Sequence, residues 1–99
     1  MYIIVWKYEV DQALRQEFEA EYGPNGAWSR LFGVSDGYLD SLLHADADRR
    51  STYLLIDRWR DQESYDAFKA EYGVAYNKQS RAFERLYVKE ELVGAFESF

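Results

Sequence analysis

Residues 52–59, TYLLIDRW, restrict the chain's fold more than any other stretch. The run is β-branched and aromatic, which reads as a strand. Side chains alternate across a strand, so Tyr53, Leu55, Asp57 and Trp59 share one face, and Leu54, Ile56 and Arg58 share the other. Neither face is polar enough to meet water. A sheet built on this strand must therefore be covered on both sides. The chain has 99 residues, which argues for a single domain over 1–99. A chain of this size buries only about 60–65% of its unfolded surface. One face can be covered by the chain's own helices; a second copy covers the other, so a homodimer is expected.

The remaining elements follow from periodicity. YIIVWKYEV (2–10) reads as a first strand. Asp11 caps a helix in which Leu14, Phe18 and Tyr22 recur at helical spacing. Gly23-Pro24-Asn25-Gly26 interrupts that helix, with backbone freedom expected at both glycines. Helical spacing resumes through Trp28, Leu31 and Phe32, and the turn at Asp36-Gly37 follows. YLDSLLHA (38–45) is a second strand, DADRRS (46–51) a polar hairpin loop and 52–59 the third strand. Asp61 caps a long helix carrying the stripe Tyr65, Phe68, Tyr72 and Tyr76. RLYVKEELV (85–93) reads as the last strand, closed by Gly94. The order β-α-β-β-α-β is the split βαβ, or ferredoxin-like, arrangement: α+β, with two helices on one face of a four-stranded antiparallel sheet.

Composition removes several function classes. The net charge of −6 disfavours nucleic acid and anionic membranes, both of which call for clustered Lys and Arg. With no cysteine there is no disulfide, iron–sulfur cluster, thiolate zinc site or cysteine nucleophile. His44 is the single histidine, and no metal site is expected. No run approaches 18 apolar residues, and the N-terminus does not read as a signal peptide, so a cytoplasmic location is expected. Eighteen per cent of residues are aromatic, enough to supply an interface or a ligand pocket besides the core.

YGPNGAWSRLF, GYLDSLLHAD, YLLIDRWRDQESYDAF and EELVGAF, in that order, resemble the antibiotic-biosynthesis monooxygenase family of dimeric α/β barrels. The resemblance is specific for fold and less so for activity. It implies a pocket between the sheet and the chain's own helices. Trp59 corresponds to a pocket tryptophan of the oxygenating members and Tyr65 to their helix tyrosine. Those members carry an asparagine four residues before the tryptophan, where this chain has Leu55, and a late-helix arginine, near which it has Gln79. Haem-degrading relatives use a histidine on the second helix, which this helix lacks.

Each candidate has a plainer reading. Trp59 and Tyr65 are pocket lining or core; the same choice holds for Trp28, Phe32, Leu55, Tyr72 and Tyr76. Asp57 in an apolar cavity would have a raised pKa and serve as a base; otherwise it pairs with an arginine or caps a loop. His44 is a proton-transfer group or an exposed strand end. Asp46 and Asp48 read as a solvated turn. The leading expectation is a cofactor-independent, monooxygenase-like homodimer acting on a small electron-rich aromatic such as a quinol or anthrone. In it Trp59 and Trp28 hold the ring, Tyr65 donates to the oxyanion, and Asp57 or His44 is the base. The alternatives are a non-catalytic binder of a small hydrophobic molecule and a structural dimer with a filled core.

Overall fold

The computed structural model covers residues 1–99. Its elements are β1 (Tyr2–Glu9), α1 (Arg15–Tyr22), α2 (Ala27–Phe32), β2 (Tyr38–Ala45), β3 (Thr52–Trp59), α3 (Gln62–Phe83) and β4 (Lys89–Glu97). Short 3-10 turns precede α1 and follow α3. The four strands form one antiparallel sheet in the order β2-β3-β1-β4, the ferredoxin-like arrangement expected from the sequence.

Two aspartates start the helical segments as their positions suggest. Asp11 accepts a hydrogen bond from the Ala13 amide at 2.9 Å, and Asp61 from the Ser64 amide at 2.8 Å. Each satisfies a donor that the first helical turn leaves free. The hydrophobic stripe then decides which face turns inward. Phe18 and Tyr22 of α1, Trp28 and Phe32 of α2, and Phe68 of α3 are buried against Tyr53, Leu55 and Trp59 of β3. The core is largely aromatic: Phe18 stacks on Tyr22 at 4.3 Å, and Phe32 meets Phe68 edge-on at 5.2 Å.

The break between α1 and α2 corrects one expectation. Gly26 has an ordinary φ of −83°, so it is not there for a left-handed backbone. It is there for space, since a Cβ would fall against the backbone carbonyl oxygens of Ala20 and Glu21. This close approach folds α2 back over the end of α1 and lays Trp28 and Phe32 across the sheet. Backbone oxygens yield little, so Gly26→Ala is expected to destabilise by about 2–3 kcal/mol. Urea unfolding would register this as a lower midpoint at unchanged slope.

The last strand is also displaced from its expected position. Glu84–Leu86 forms a 3-10 turn, and β4 begins only at Lys89. Gly94 lies inside β4, with a φ of 157°, beside a bulge where Val5 pairs with Gly94 and Trp6 with Leu92. Only a residue without a Cβ takes that φ readily. The bulge leaves Val93 without a partner on β1.

The face turned away from the helices is apolar in its middle. Val5, Ile56 and Leu42 are register neighbours across three strands, with Leu54 beside them and Phe96 opposite Ile3. Leu54, Val93 and Phe96 are exposed.

Candidate functional site

Register builds the site. Asp57 pairs with Ile4 of β1 and with Ser41 of β2; Leu55 pairs with Trp6 and Leu43. These side chains share the helix-facing side of the sheet. A bulge between Tyr38 and Asp40 in β2 sets which residues face Asp57 and which face Arg58. It places Asp40 opposite Arg58 on the outer face, where the guanidinium donates to both carboxylate oxygens at 2.5 and 2.6 Å. It places Ser41 opposite Asp57 on the inner face.

Asp57 therefore has no arginine, contrary to its plainer reading. It is 4% exposed, and its one side-chain hydrogen bond comes from Ser41 Oγ at 2.7 Å. Burial pushes its carboxyl up to about 7, and the bond from Ser41, which favours the ionised form, offsets only part of that. A carboxyl in this state exchanges protons readily near neutral pH.

Asp57 lines a small cavity with Trp6, Tyr8, Tyr22, Trp28, Phe32, Leu55, Tyr76, Ser80 and Glu90. Its volume of about 40 Å³ is room for roughly three waters. Trp6 and Tyr76 also line a neighbouring groove of about 250 Å³, together with Tyr2, Ile4, Tyr65, Lys69, Leu92 and Ala95. The two spaces thus share a wall. Lys69 is the one cation lining either, with its Nζ 3.5 Å from the centre of the Tyr76 ring. Burial lowers its pKa. Tyr65 is pushed up to about 12, first by burial and then by the nearby Asp57 charge. Burial also raises the pKa values of Tyr8, Tyr22 and Tyr76, so these phenols stay protonated at neutral pH.

Two indole N–H groups are buried without an acceptor, those of Trp28 and Trp59. Trp28's points toward the Tyr22 hydroxyl without reaching hydrogen-bond geometry. Trp28 lines the cavity. Trp59 does not: it is 0% exposed and enclosed by Phe32, Tyr38, Tyr65 and Phe68.

The sequence candidates thus separate. Asp57, Leu55, Trp28, Phe32 and Tyr76 meet around one cavity, and Tyr65 faces the adjoining groove. Tyr72 stacks on Phe68 at 5.5 Å at a non-helical point in α3 and lines neither space. His44 lies on the opposite face of the sheet, paired with Leu54 and near Lys7 and Asp46. Asp46 accepts hydrogen bonds from the amides of Asp48 and Arg49 in its own loop, as a turn residue does. Gln79 has a buried, unpartnered amide nitrogen but does not line the cavity. Sequence reasoning missed Trp6, Tyr8, Tyr22, Ser80 and Glu90. The period-two alternation of β1 already put Trp6 and Tyr8 on one face; the register that sets them beside Leu55 and Tyr53 was the missing piece. Ser80 lies one helical turn beyond Tyr76.

Residues 1–75 match the antibiotic biosynthesis monooxygenase family. The chain belongs to that family. No curated protein matches it. Among solved structures, it is similar to SnoaB from Streptomyces nogalater, a cofactor-independent oxygenase, at 21% identity and a TM-score of 0.76 over 99% of this chain and 92% of that one. A mutant of MhuD with two manganese protoporphyrin IX molecules bound per active site is 18% identical, with a TM-score of 0.73 over 99% and 94%. PA3566 from Pseudomonas aeruginosa is 17% identical, with a TM-score of 0.69 over 99% and 93%. At such identities these likenesses establish the fold.

Proposed function

We propose that this protein is a homodimeric, cofactor-independent monooxygenase-like enzyme in which Asp57 deprotonates a small electron-rich aromatic of the quinol or anthrone type. One observation carries the reading: a carboxyl that is 4% exposed, unpaired with any cation, stands on the wall of an aromatic cavity. Family membership and the likeness to a cofactor-independent oxygenase support it.

The chemistry needs a base, a dry environment and donors for the developing anion. With a quinol, Asp57 takes a proton from a hydroxyl; with an anthrone, it takes one from the activated CH₂. The anthrone anion gives up electrons to dioxygen and forms a C–O bond. Protonation yields a hydroperoxide, which loses its second carbon-bound hydrogen as a proton and its terminal oxygen as hydroxide, together one water, to leave a carbonyl. One oxygen atom enters the product and the other leaves in water. Trp6 holds the ring, Trp28 meets its reacting edge with its free indole N–H donating to the anion, and Tyr65 donates from the groove side. His44, on the far face, takes no part. The groove accommodates the ring, Lys69 favours an anionic form, and the inner chamber admits only the reacting edge.

The small inner chamber specifically favours a second reading, a structural dimer with a filled core. A titration of tryptophan fluorescence with quinols and anthrones, followed by oxygen uptake, separates the readings. Saturable quenching with oxygen uptake that disappears in Asp57→Asn supports the enzyme. Quenching without uptake indicates a binder, and no response across the panel indicates a filled core.

The dimer has its own test. The outer face built on Val5, Leu42, Leu54 and Ile56 is the surface a second sheet would cover. Ile56→Asp would place an unpaired charge there, between Val5 and Leu42, at a cost of several kcal/mol. It is expected to give a monomer in analytical ultracentrifugation at micromolar concentration. A persistent dimer would move the interface elsewhere.

A further inference from the structure

The buried carboxyl of Asp57 is connected to the surface by hydroxyl groups. Ser41 Oγ donates to Asp57 Oδ1 at 2.7 Å. Ser41 Oγ and the Tyr38 hydroxyl are 2.7 Å apart, and each has one hydrogen. Tyr38 donates here while Ser41 donates to an ionised Asp57; once Asp57 holds the proton, Ser41 donates here and frees Tyr38 to donate to Ser29. The Tyr38 hydroxyl then donates to Ser29 Oγ at 3.1 Å, and Ser29 Oγ to the Gly23 carbonyl at 3.3 Å. Burial is deepest at Ser41 and eases at Tyr38 and Ser29, and the last acceptor, Gly23, is buried but adjoins exposed residues. Ser41 is 1% exposed, Tyr38 and Ser29 are half-buried, and the path ends at the α1–α2 break beside the exposed Pro24 and Asn25.

We propose that Ser41, Tyr38 and Ser29 form a proton relay that joins Asp57 to solvent at the break between α1 and α2. The proposal rests on the reading of Asp57 as the base. When Asp57 holds a proton taken from substrate, that proton passes to Ser41 Oγ. Ser41's own proton goes to the Tyr38 oxygen, Tyr38's to Ser29 Oγ, and Ser29's to water. Each hydroxyl makes one O–H bond and breaks one, so Ser41, Tyr38 and Ser29 end neutral, Asp57 is returned to its carboxylate, and nothing is oxidised or reduced. The net result is one proton moved from Asp57 to solvent. A hydroxyl both donates and accepts, which lets the same chain run in either direction. The Ser41–Tyr38 contact, where either oxygen can donate, is the geometry such a reversal needs.

No side chain other than Ser41 is hydrogen-bonded to Asp57. Tyr8 of β1, Tyr22 of α1 and Tyr76 of α3 line the cavity with it, and Tyr65 of α3 lies near. Tyr8's hydroxyl is committed to Glu90 of β4 at 2.8 Å. The one nearby cation, Lys69, sits over the far wall formed by Tyr76. Tyr38, Ser41 and Ser29 line neither the cavity nor the groove. A relay through them clears the base without admitting water to the substrate, which a dry site requires. It also gives the broken first helix a purpose, because a continuous α1 would not bring Ser29 to Tyr38.

The test separates rate from equilibrium. Aspartate labelled with carbon-13 at the carboxyl reports Asp57 by NMR, with Asp57→Asn identifying the signal. Relaxation dispersion through its titration gives the protonation rate. Tyr38→Phe and Ser29→Ala touch no atom of the carboxyl and are expected to leave the midpoint in place. Both are expected to slow proton exchange by roughly tenfold or more. A purely structural role for the chain would shift the midpoint without slowing exchange, and would overturn the relay. An unchanged rate in Ser29→Ala overturns it even if Tyr38→Phe fails to fold. A wild-type midpoint at the ordinary carboxylate value would sink the base reading of the proposed function instead. Rates measured through that lower midpoint would still judge the relay.

Discussion

Asp57→Asn is expected to remove turnover while making the protein more stable at pH 8. The loss of activity follows from the loss of the base, a change of about 10²–10⁴-fold for general base catalysis. The gain in stability follows from linkage. Asp57 titrates at about 7 in the folded chain, against 3.8 for the free group. Between those values the folded state holds a proton that the unfolded state has released. Stability is therefore lost as pH rises from about 4 to 7 and is level beyond. The full span corresponds to about 4 kcal/mol. Asparagine is never ionised, so the variant escapes this loss. Its amide brings two N–H donors to a place whose one hydrogen-bond partner is Ser41 Oγ, and leaving a buried donor unpaired returns about 1–3 kcal/mol. The net expectation is a gain of about 1–3 kcal/mol at pH 8 and a loss of about 1–3 kcal/mol at pH 4. Chemical denaturation of both proteins across this range measures the difference. Comparing the pair matters because Asp40, Asp46 and Asp61 have lowered pKa values and bend the profile the opposite way in both proteins. A wild-type-minus-variant difference that is flat with pH would show that Asp57 is not buried as a neutral acid.

Such a trade, stability given up to hold a reactive group, is common at functional sites. It also explains why Asp57 was only half legible in the sequence. Alternation along β3 put it on the inner face with Leu55 and Trp59, which is where it lies. Its partner was not legible. Arg58 is the next residue, and a carboxylate near an arginine reads as an ion pair. The arginine instead takes Asp40, because a one-residue bulge in β2 moves Asp40 to the outer face and brings Ser41 across from Asp57. A bulge is a property of two paired strands and leaves no periodic trace in one of them. The same limit hid Trp6, whose role depends on its pairing with Leu55 and on Tyr76 reaching over from α3. Local signals did better. The capping aspartates, the helix break and the succession of strands and helices along the chain rest on residues close in sequence, and all appear in the fold. The start of β4 moved because Glu84–Leu86 extends the helical path, a continuation that the β-branched and aromatic content of 85–93 masked.

Trp59→Ala is expected to cost about 3–5 kcal/mol, the loss for removing a fully buried tryptophan. The surroundings support the upper part of that range. Trp59 meets Phe32, Tyr38 and Tyr65 edge-on at 5.3–5.5 Å and lies 5.4 Å from Phe68, so its removal leaves a cavity bounded by four rings. Rings anchored in separate elements collapse poorly into such a space. For a chain of this size the melting temperature should fall by at least about 12 °C. Trp59→Phe is the informative companion. It deletes less volume and also removes the buried indole N–H that has no acceptor, whose burial carries a penalty of about 1–3 kcal/mol. Its net cost should accordingly fall below about 2 kcal/mol. The pair also decides how Trp59 serves the site. As a wall behind Phe32 and Tyr65, Trp59 sets where those side chains stand, so Trp59→Phe should retain ligand binding and oxygen uptake in large part. Loss of binding in Trp59→Phe at nearly unchanged stability would mean instead that the ring touches the ligand, as it does if the cavity opens beyond Phe32 when occupied. A small stability loss in Trp59→Ala would reach the same conclusion from the other side, since only a side chain already facing open space can be removed so cheaply.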